Sequence, residues 1–392
     1  MSTVWTHEDG GPKRRQTAPG SLDAAGGLDV TTRIAPVTTM LVGDVLLRHT
    51  PPPDATASVE RIDLVTLEPI VASPTLPGGP VWPGGAGIAP NGDVHVVFGA
   101  HAHRLDGETL QPIATRRLPR DKPYNSFVPL ASGHLATKDF GGRGSFEPCE
   151  LLVLDPHTLD VVDALVLPER SIARLSADGD DVYVVGDTSL LRVHWDGSRL
   201  RLDDSLRARY RVHDGQTFGW DCVLADDAAW FLDDGDGTEA FDGTLRGKGV
   251  STHPLHLVRV GLNRGGDVTL TEVSGLPGGI VANPPVVDTR RGVVIAYDSG
   301  NGVVAGFDLR TLERRWTREQ DHASHLVLYE DSGEVLTGDH ADVVVLDVVT
   351  GAELARADTG LGMQSVLFPA PGDRCAYVCS FVGIARISPI SR

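Results

Sequence analysis

Fourteen histidines and a set of aromatic, amide and cationic residues are spread through this 392-residue chain, many of them just ahead of a short extended run. His322 or His325 would be the general base, because an imidazole titrates near working pH. Tyr124 and Asp221 are read with them as catalytic candidates. Trp82, Asn125, Lys138, Arg174, Trp220, Asn283 and Gln364 would bind the substrate. In this reading Asn125, Asn283 and Asp221 orient a substrate or metal, Arg174 or Lys138 holds an anion, and Tyr124 and Trp220 stack on it. The chemistry expected is proton abstraction or water activation, lyase- or hydrolase-type, with or without a divalent ion. The same residue types also suit a plainer role, filling a channel and hydrogen-bonding strand ends.

A metal would have to rest on His101, His253, His256 or His340, or on Asp234 and Asp236 within Asp233-Asp234-Gly235-Asp236-Gly237-Thr238-Glu239. Glycine-spaced carboxylates suit Ca²⁺, but the spacing is not that of the 12-residue helix-flanked loop, so an acidic solvated loop is the simpler reading. The chain has no Gly-x-Ser-x-Gly elbow, phosphate loop or HExxH motif.

The elements that must position these residues follow from a repeat. An alternating apolar run ending in Asp, with Thr three positions later, occurs at Ile62-Asp63-Leu64-Val65-Thr66, Leu105-Asp106-Gly107-Glu108-Thr109, Leu154-Asp155-Pro156-His157-Thr158, Phe307-Asp308-Leu309-Arg310-Thr311 and Leu346-Asp347-Val348-Val349-Thr350. Degenerate copies sit at Asp196, Asn263 and Ser388. Successive markers are 43, 49, 41, 67, 45, 39 and 41 residues apart, the period of a four-stranded propeller blade. Asp and Thr are read as turn chemistry, the carboxylate accepting nearby backbone amides.

The expected fold is therefore all-β: one eight-bladed antiparallel β-propeller over residues 29–392, with seven blades as the alternative. The last unit has room for three strands, so the strand at 29–35 is expected to supply the fourth and close the ring. Residues 1–28, rich in Gly, Pro and charge, are expected to form a flexible tail. The long spacing marks a loop insertion at about 233–256, read as a lid or a partner contact. Chemistry is expected at the upper face, where innermost strands begin.

The run Phe307-Asp308-Leu309-Arg310-Thr311-Leu312-Glu313-Arg314-Arg315-Trp316 resembles the repeat of quinoprotein-type propellers, in which an Asp turn leads to an outer strand bearing Trp. That resemblance implies the fold and no cofactor. The adjacent cysteine pair and blade-by-blade Trp docking pattern of the quinone-dependent dehydrogenases are missing, so a quinone is not expected. A ring of His from several blades would resemble the iron centre of carotenoid-cleaving propellers, which are longer.

A net charge of −18 argues against nucleic acid, which requires clustered cations. The sequence has no long apolar run to span a membrane, and its four cysteines lack metal spacing, so a cytoplasmic, reduced protein is expected. The partner expected is a small molecule. A protein-interaction scaffold is the alternative, although the Gly-His and Trp-Asp pairs of WD-repeat scaffolds are not repeated blade by blade: Gly-His occurs once, as Gly133-His134, and Trp-Asp twice, as Trp195-Asp196 and Trp220-Asp221.

Overall fold

The computed structural model describes residues 5–36, 38–49, 56–78, 84–141, 147–237, 244–263, 265–321, 325–362 and 369–390. Strands whose faces alternate between the two neighbouring sheets build eight blades. Blade 1 runs Thr38–Val42, Val45–His49, Thr56–Ile62 and Pro69–Ala72 from the centre outward. The innermost strands of blades 2 to 8 are Gly85–Ile88, Tyr124–Pro129, Ser176–Asp178, Val223–Ala225, Val286–Asp288, Val327–Tyr329 and Ala370–Gly372. Each blade alone cannot bury its apolar faces. Neighbours do it for one another, as where Val223, Trp230 and Leu257 of blade 5 share a cluster with Val287, Ile295 and Phe307 of blade 6.

The ring closes as expected. Leu28–Ile34 pairs antiparallel with the last strand, Gly383–Pro389, over seven residue pairs from Leu28↔Pro389 to Ile34↔Gly383. First and last segments of the chain thus share one sheet, and the edge that three strands would expose is covered.

The repeated Asp is a turn former in every full copy. Asp347 accepts the amides of Val349 (3.0 Å) and Thr350 (2.8 Å) and the Thr350 hydroxyl (2.8 Å). Asp63, Asp106, Asp155 and Asp308 accept the matching pairs of amides, which hold their carboxyls below the usual range. Four residues after the Asp the backbone turns left-handed. Leu67, Leu110, Leu159 and Leu312 adopt φ of 64°, 54°, 62° and 60°, where the fifth copy has Gly351 at 69°. A leucine is disfavoured there. Burial of the side chain and an amide bond back to the Asp carbonyl, 2.9 Å for Leu110, hold it in place.

The first segment departs from expectation. Residues 5–28 are not a solvated tail: they thread the central channel. Innermost strands present one unpaired edge to the channel, and buried backbone amides need acceptors. The Ile88 amide donates to the Thr6 carbonyl (2.8 Å), Ala177 to Pro12 (2.8 Å) and Leu224 to Lys13 (2.9 Å), while Thr17–Ala18 pairs in parallel with Leu328 and Tyr329 of blade 7. At the lower end Glu334 accepts the amides of Leu22, Asp23 and Ala24 at 2.8, 2.9 and 2.7 Å, and the chain turns outward into the closing strand. Gly and Pro, which suggested disorder, instead supply the reversals: Gly10 and Gly11 have φ of 83° and 115°.

The closing strand depends on glycine at one point, since a Cβ at Gly383 would collide with the Arg33 carbonyl. Gly383→Ala is expected to lower the unfolding free energy by roughly 1–3 kcal/mol, measured by urea denaturation. An unchanged midpoint would show that the closing strand does not limit stability.

Candidate functional site

The upper ends of the innermost strands bring several predicted residues together, and the N-terminal segment meets them from below. Arg14, itself 2% exposed, donates to Asp9 Oδ2 (2.6 Å), Glu8 Oε2 (3.0 Å), the Ser126 hydroxyl (3.1 Å) and the Leu175 carbonyl (2.7 Å). Arg174 reaches the same Glu8 oxygen at 2.6 Å and the Gly84 carbonyl at 2.9 Å. Asp221 accepts the Arg174 amide at 2.5 Å and lies 3.9 Å from its guanidinium. His325 Nδ1 sits 3.1 Å from Asp9 Oδ1. One ligand atom each from Asp9, Asp221 and His325 falls within 4.8 Å of the others. Gln16 completes the lock, donating to the Pro285 carbonyl (2.8 Å) and accepting the Leu326 amide (3.1 Å).

The carboxylates of Glu8, Asp9 and Asp221 face the guanidiniums of Arg14 and Arg174 in a buried site, with the Lys138 ammonium close enough to Asp221 to feel its charge. Burial pushes Asp9 and Asp221 upward against the pull of Arg14. For Glu8 burial is outweighed by Arg174 and Arg14, which hold it below the usual range. His325 is pushed down to about 3 by burial, so it is neutral.

The other predicted residues divide. Asn125 donates to the Ile172 and Ala173 carbonyls (both 3.0 Å) and accepts from Lys138 Nζ (3.1 Å), which also reaches the Ser171 carbonyl (3.0 Å). Burial lowers the Lys138 pKa. Asn283 is fully buried at the same level. Tyr124 is turned away, its hydroxyl accepting the Arg120 amide at 3.2 Å, and Trp220 is packed in the core between blades 5 and 6. Neither stacks on a ligand space at the channel. Trp82, His322 and Gln364 lie outside the described residues.

The metal candidates scatter as well. His101 bonds the Gly78 carbonyl (2.7 Å) on blade 2, His340 stands 3.6 Å from Asp321 beside blade 7, and Asp236 is exposed. Asp234 is buried and pushed up to about 7 by burial and by Asp233. Only His253 and His256 come together, and His213, which the sequence reading did not single out, joins them. No motif signals that residue, because the loop that carries it is the connection from blade 4 into blade 5, outside the insertion. The insertion is also no loose flap in its described parts: Leu245 and Leu255 are buried, the Gly247 amide bonds Gly300 (2.8 Å), and the Gly278 amide bonds Ser251 (2.8 Å).

Two outcomes test this network. Arg14→Ala takes the guanidinium from buried Asp9 and leaves Glu8 with Arg174 alone, and is expected to cost about 3–5 kcal/mol in urea unfolding. Asp9→Asn placed in the same chain should restore part of the loss, since it removes the charge that Arg14 balanced. His325, neutral when folded and ordinary when unfolded, contributes stability present above its usual pKa near 6.5 and lost as pH falls towards 3. Over that window the unfolding free energy of the parent should fall relative to His325→Gln; parallel pH profiles would mean His325 is not held neutral.

No protein-family model matches the chain, and no curated protein is similar to it in sequence. Solved structures share the fold. The chain is similar to BamB from Moraxella catarrhalis (14% identity, TM-score 0.61, covering 92% of this chain and 98% of that one). It is similar to the quinohemoprotein alcohol dehydrogenase from Comamonas testosteroni (12%, TM-score 0.68, 100% and 81%) and to a europium-containing methanol dehydrogenase (12%, TM-score 0.69, 97% and 90%). At these identities the likeness establishes the eight-bladed architecture of the quinoprotein-type propellers.

Proposed function

We propose that this protein is a non-catalytic binding propeller, a scaffold whose contacts lie on the rim rather than in the channel. One observation carries the reading. The space where a substrate would enter the expected site holds the chain's own Glu8, Asp9, Arg14 and Gln16, all buried and all bonded to the wall. A general base must reach a substrate proton, and His325, 1% exposed, touches Asp9 instead. The rim above blades 5 and 6 offers what the channel does not. There the insertion is pinned against the 274–280 loop by the Gly278 amide on the Ser251 carbonyl, with Val250 57% and Leu276 55% exposed. Four buried free thiols fit a reducing, cytoplasmic setting. Among the described residues no helix is long and apolar enough to cross a membrane.

The second reading is the acid–base enzyme, favoured by the convergence of Asp9, Asp221 and His325. It needs the N-terminal segment to withdraw. A photo-crosslinking residue at Val250 or Leu276, with one at Val162 on the outer strand of blade 3 as control, separates the two. The scaffold reading expects one stoichiometric protein adduct from the first two sites, lost with Val250→Arg. It is overturned by a metabolite whose turnover disappears in Asp221→Asn.

A further inference from the structure

On the upper rim of blade 5 two segments from different connections meet. His213 lies in the loop that leaves blade 4's outer strand, Leu200–Arg209; His253 and His256 close the insertion, His256 opening the strand His256–Gly261. The three rings gather face to face. Centroids of His213 and His253 are 4.3 Å apart at 8°, those of His253 and His256 5.0 Å apart at 30°. One ring nitrogen from each lies within 4.8 Å of the other two.

Their orientation is fixed from behind. Asp233 accepts the His256 amide (2.6 Å), His256 Nδ1 (2.7 Å) and Gln216 Nε2 (2.7 Å). The Pro254 carbonyl faces His253 Nδ1 at 3.3 Å. Carboxylate and carbonyl oxygens only accept, so both rings carry their proton on Nδ1 and keep a lone pair on Nε2. The same side chain that holds Asp233 also holds His213: Gln216 Oε1 accepts the Val212 and His213 amides at 2.8 and 3.1 Å. Ser251 ties the segments together, donating to the Gly215 carbonyl at 2.9 Å. Gly215, at φ 83°, allows an approach that any Cβ would block against Thr252.

We propose that His213, His253 and His256 form a binding site for one divalent transition-metal ion, Zn²⁺ foremost, with Asp233 as the carboxylate that orients a ligand from outside the coordination sphere. Three imidazoles and no hard oxygen ligand select Zn²⁺, Cu²⁺ or Ni²⁺ over Ca²⁺ and Mg²⁺. A carboxylate on the far nitrogen of a ligating histidine is the usual support for such a site. Tetrahedral bonds of about 2.1 Å put nitrogens about 3.4 Å apart, so the stacked rings must turn out of parallel to aim at one ion, His213 most freely because it is exposed, and a fourth position is left facing solvent. The ion would clasp the blade 4 connection to the insertion, a joint that among the described residues is otherwise made by hydrogen bonds.

The experiment uses the tag-free full chain, stripped with chelator and titrated with Zn²⁺ against a chromogenic competitor, with Co²⁺ absorption as a second readout. One Zn²⁺ per chain is expected, with a rise in Tm that Ca²⁺ and Mg²⁺ do not produce, and visible Co²⁺ bands of tetrahedral intensity. His213→Ala, an exposed change that leaves the metal-free Tm in place, should weaken Zn²⁺ binding at least tenfold, and Asp233→Asn about 10- to 100-fold. Substoichiometric binding, or equal affinity in the parent and His213→Ala, overturns the proposal.

Discussion

Arg14 sits at the centre of the molecule without solvent, and its guanidinium joins parts of the chain that are far apart in sequence: Glu8 and Asp9 beside it, Ser126 of blade 3 and the carbonyl of Leu175 leading into blade 4. Arg174 and Asp221 extend the contact to blades 4 and 5, and His325 to blade 7. A buried ion of this kind is costly unless every charge has a partner. The ring must therefore close around the N-terminal segment, and the segment must lie in one register. A hydrophobic plug would fill the channel with less penalty, but it would not choose which amide of which innermost strand it meets.

The constraint reaches the outside of the ring. Having crossed the channel, the chain leaves at the lower end past Glu334 and becomes the outer strand of blade 8. Filling the channel and closing the ring are consecutive acts of one segment of about 30 residues. This is why the upper polar ring is buried and why the accessible polar chemistry moves to the rim. There the blade 5 insertion, folded onto the 274–280 loop, brings three imidazoles to a place no other blade matches among the described residues.

The blade plan was legible residue by residue. Asp63, Asp106, Asp155, Asp308 and Asp347 each announce a turn because their carboxylates cap amides two and three residues on, a local interaction that needs no tertiary partner. The missing fourth strand of the last unit was legible for a similar reason, since an odd edge demands a partner. The site was legible only as a neighbourhood. Asn125, Arg174, Asp221, Asn283 and His325 do converge, because phase along the repeat fixes which end of a blade a residue occupies. Tyr124 and Trp220 carry the same phase and still point elsewhere, because phase does not fix the direction of a side chain.

The sequence by itself determined the blade repeat, its turns and the closing strand, all consequences of period-two burial, fixed spacing and local capping. Only the tertiary structure decided what fills the channel. The Gly- and Pro-rich first segment has no apolar period and looks solvated, yet its amides, carbonyls and five-residue spacing of Asp9 and Arg14 become favourable once eight unpaired inner edges surround it. The tertiary structure also decided that His213 belongs with His253 and His256. Forty residues of chain separate them, and only the closeness of one blade's exit loop to the next blade's insertion makes them neighbours.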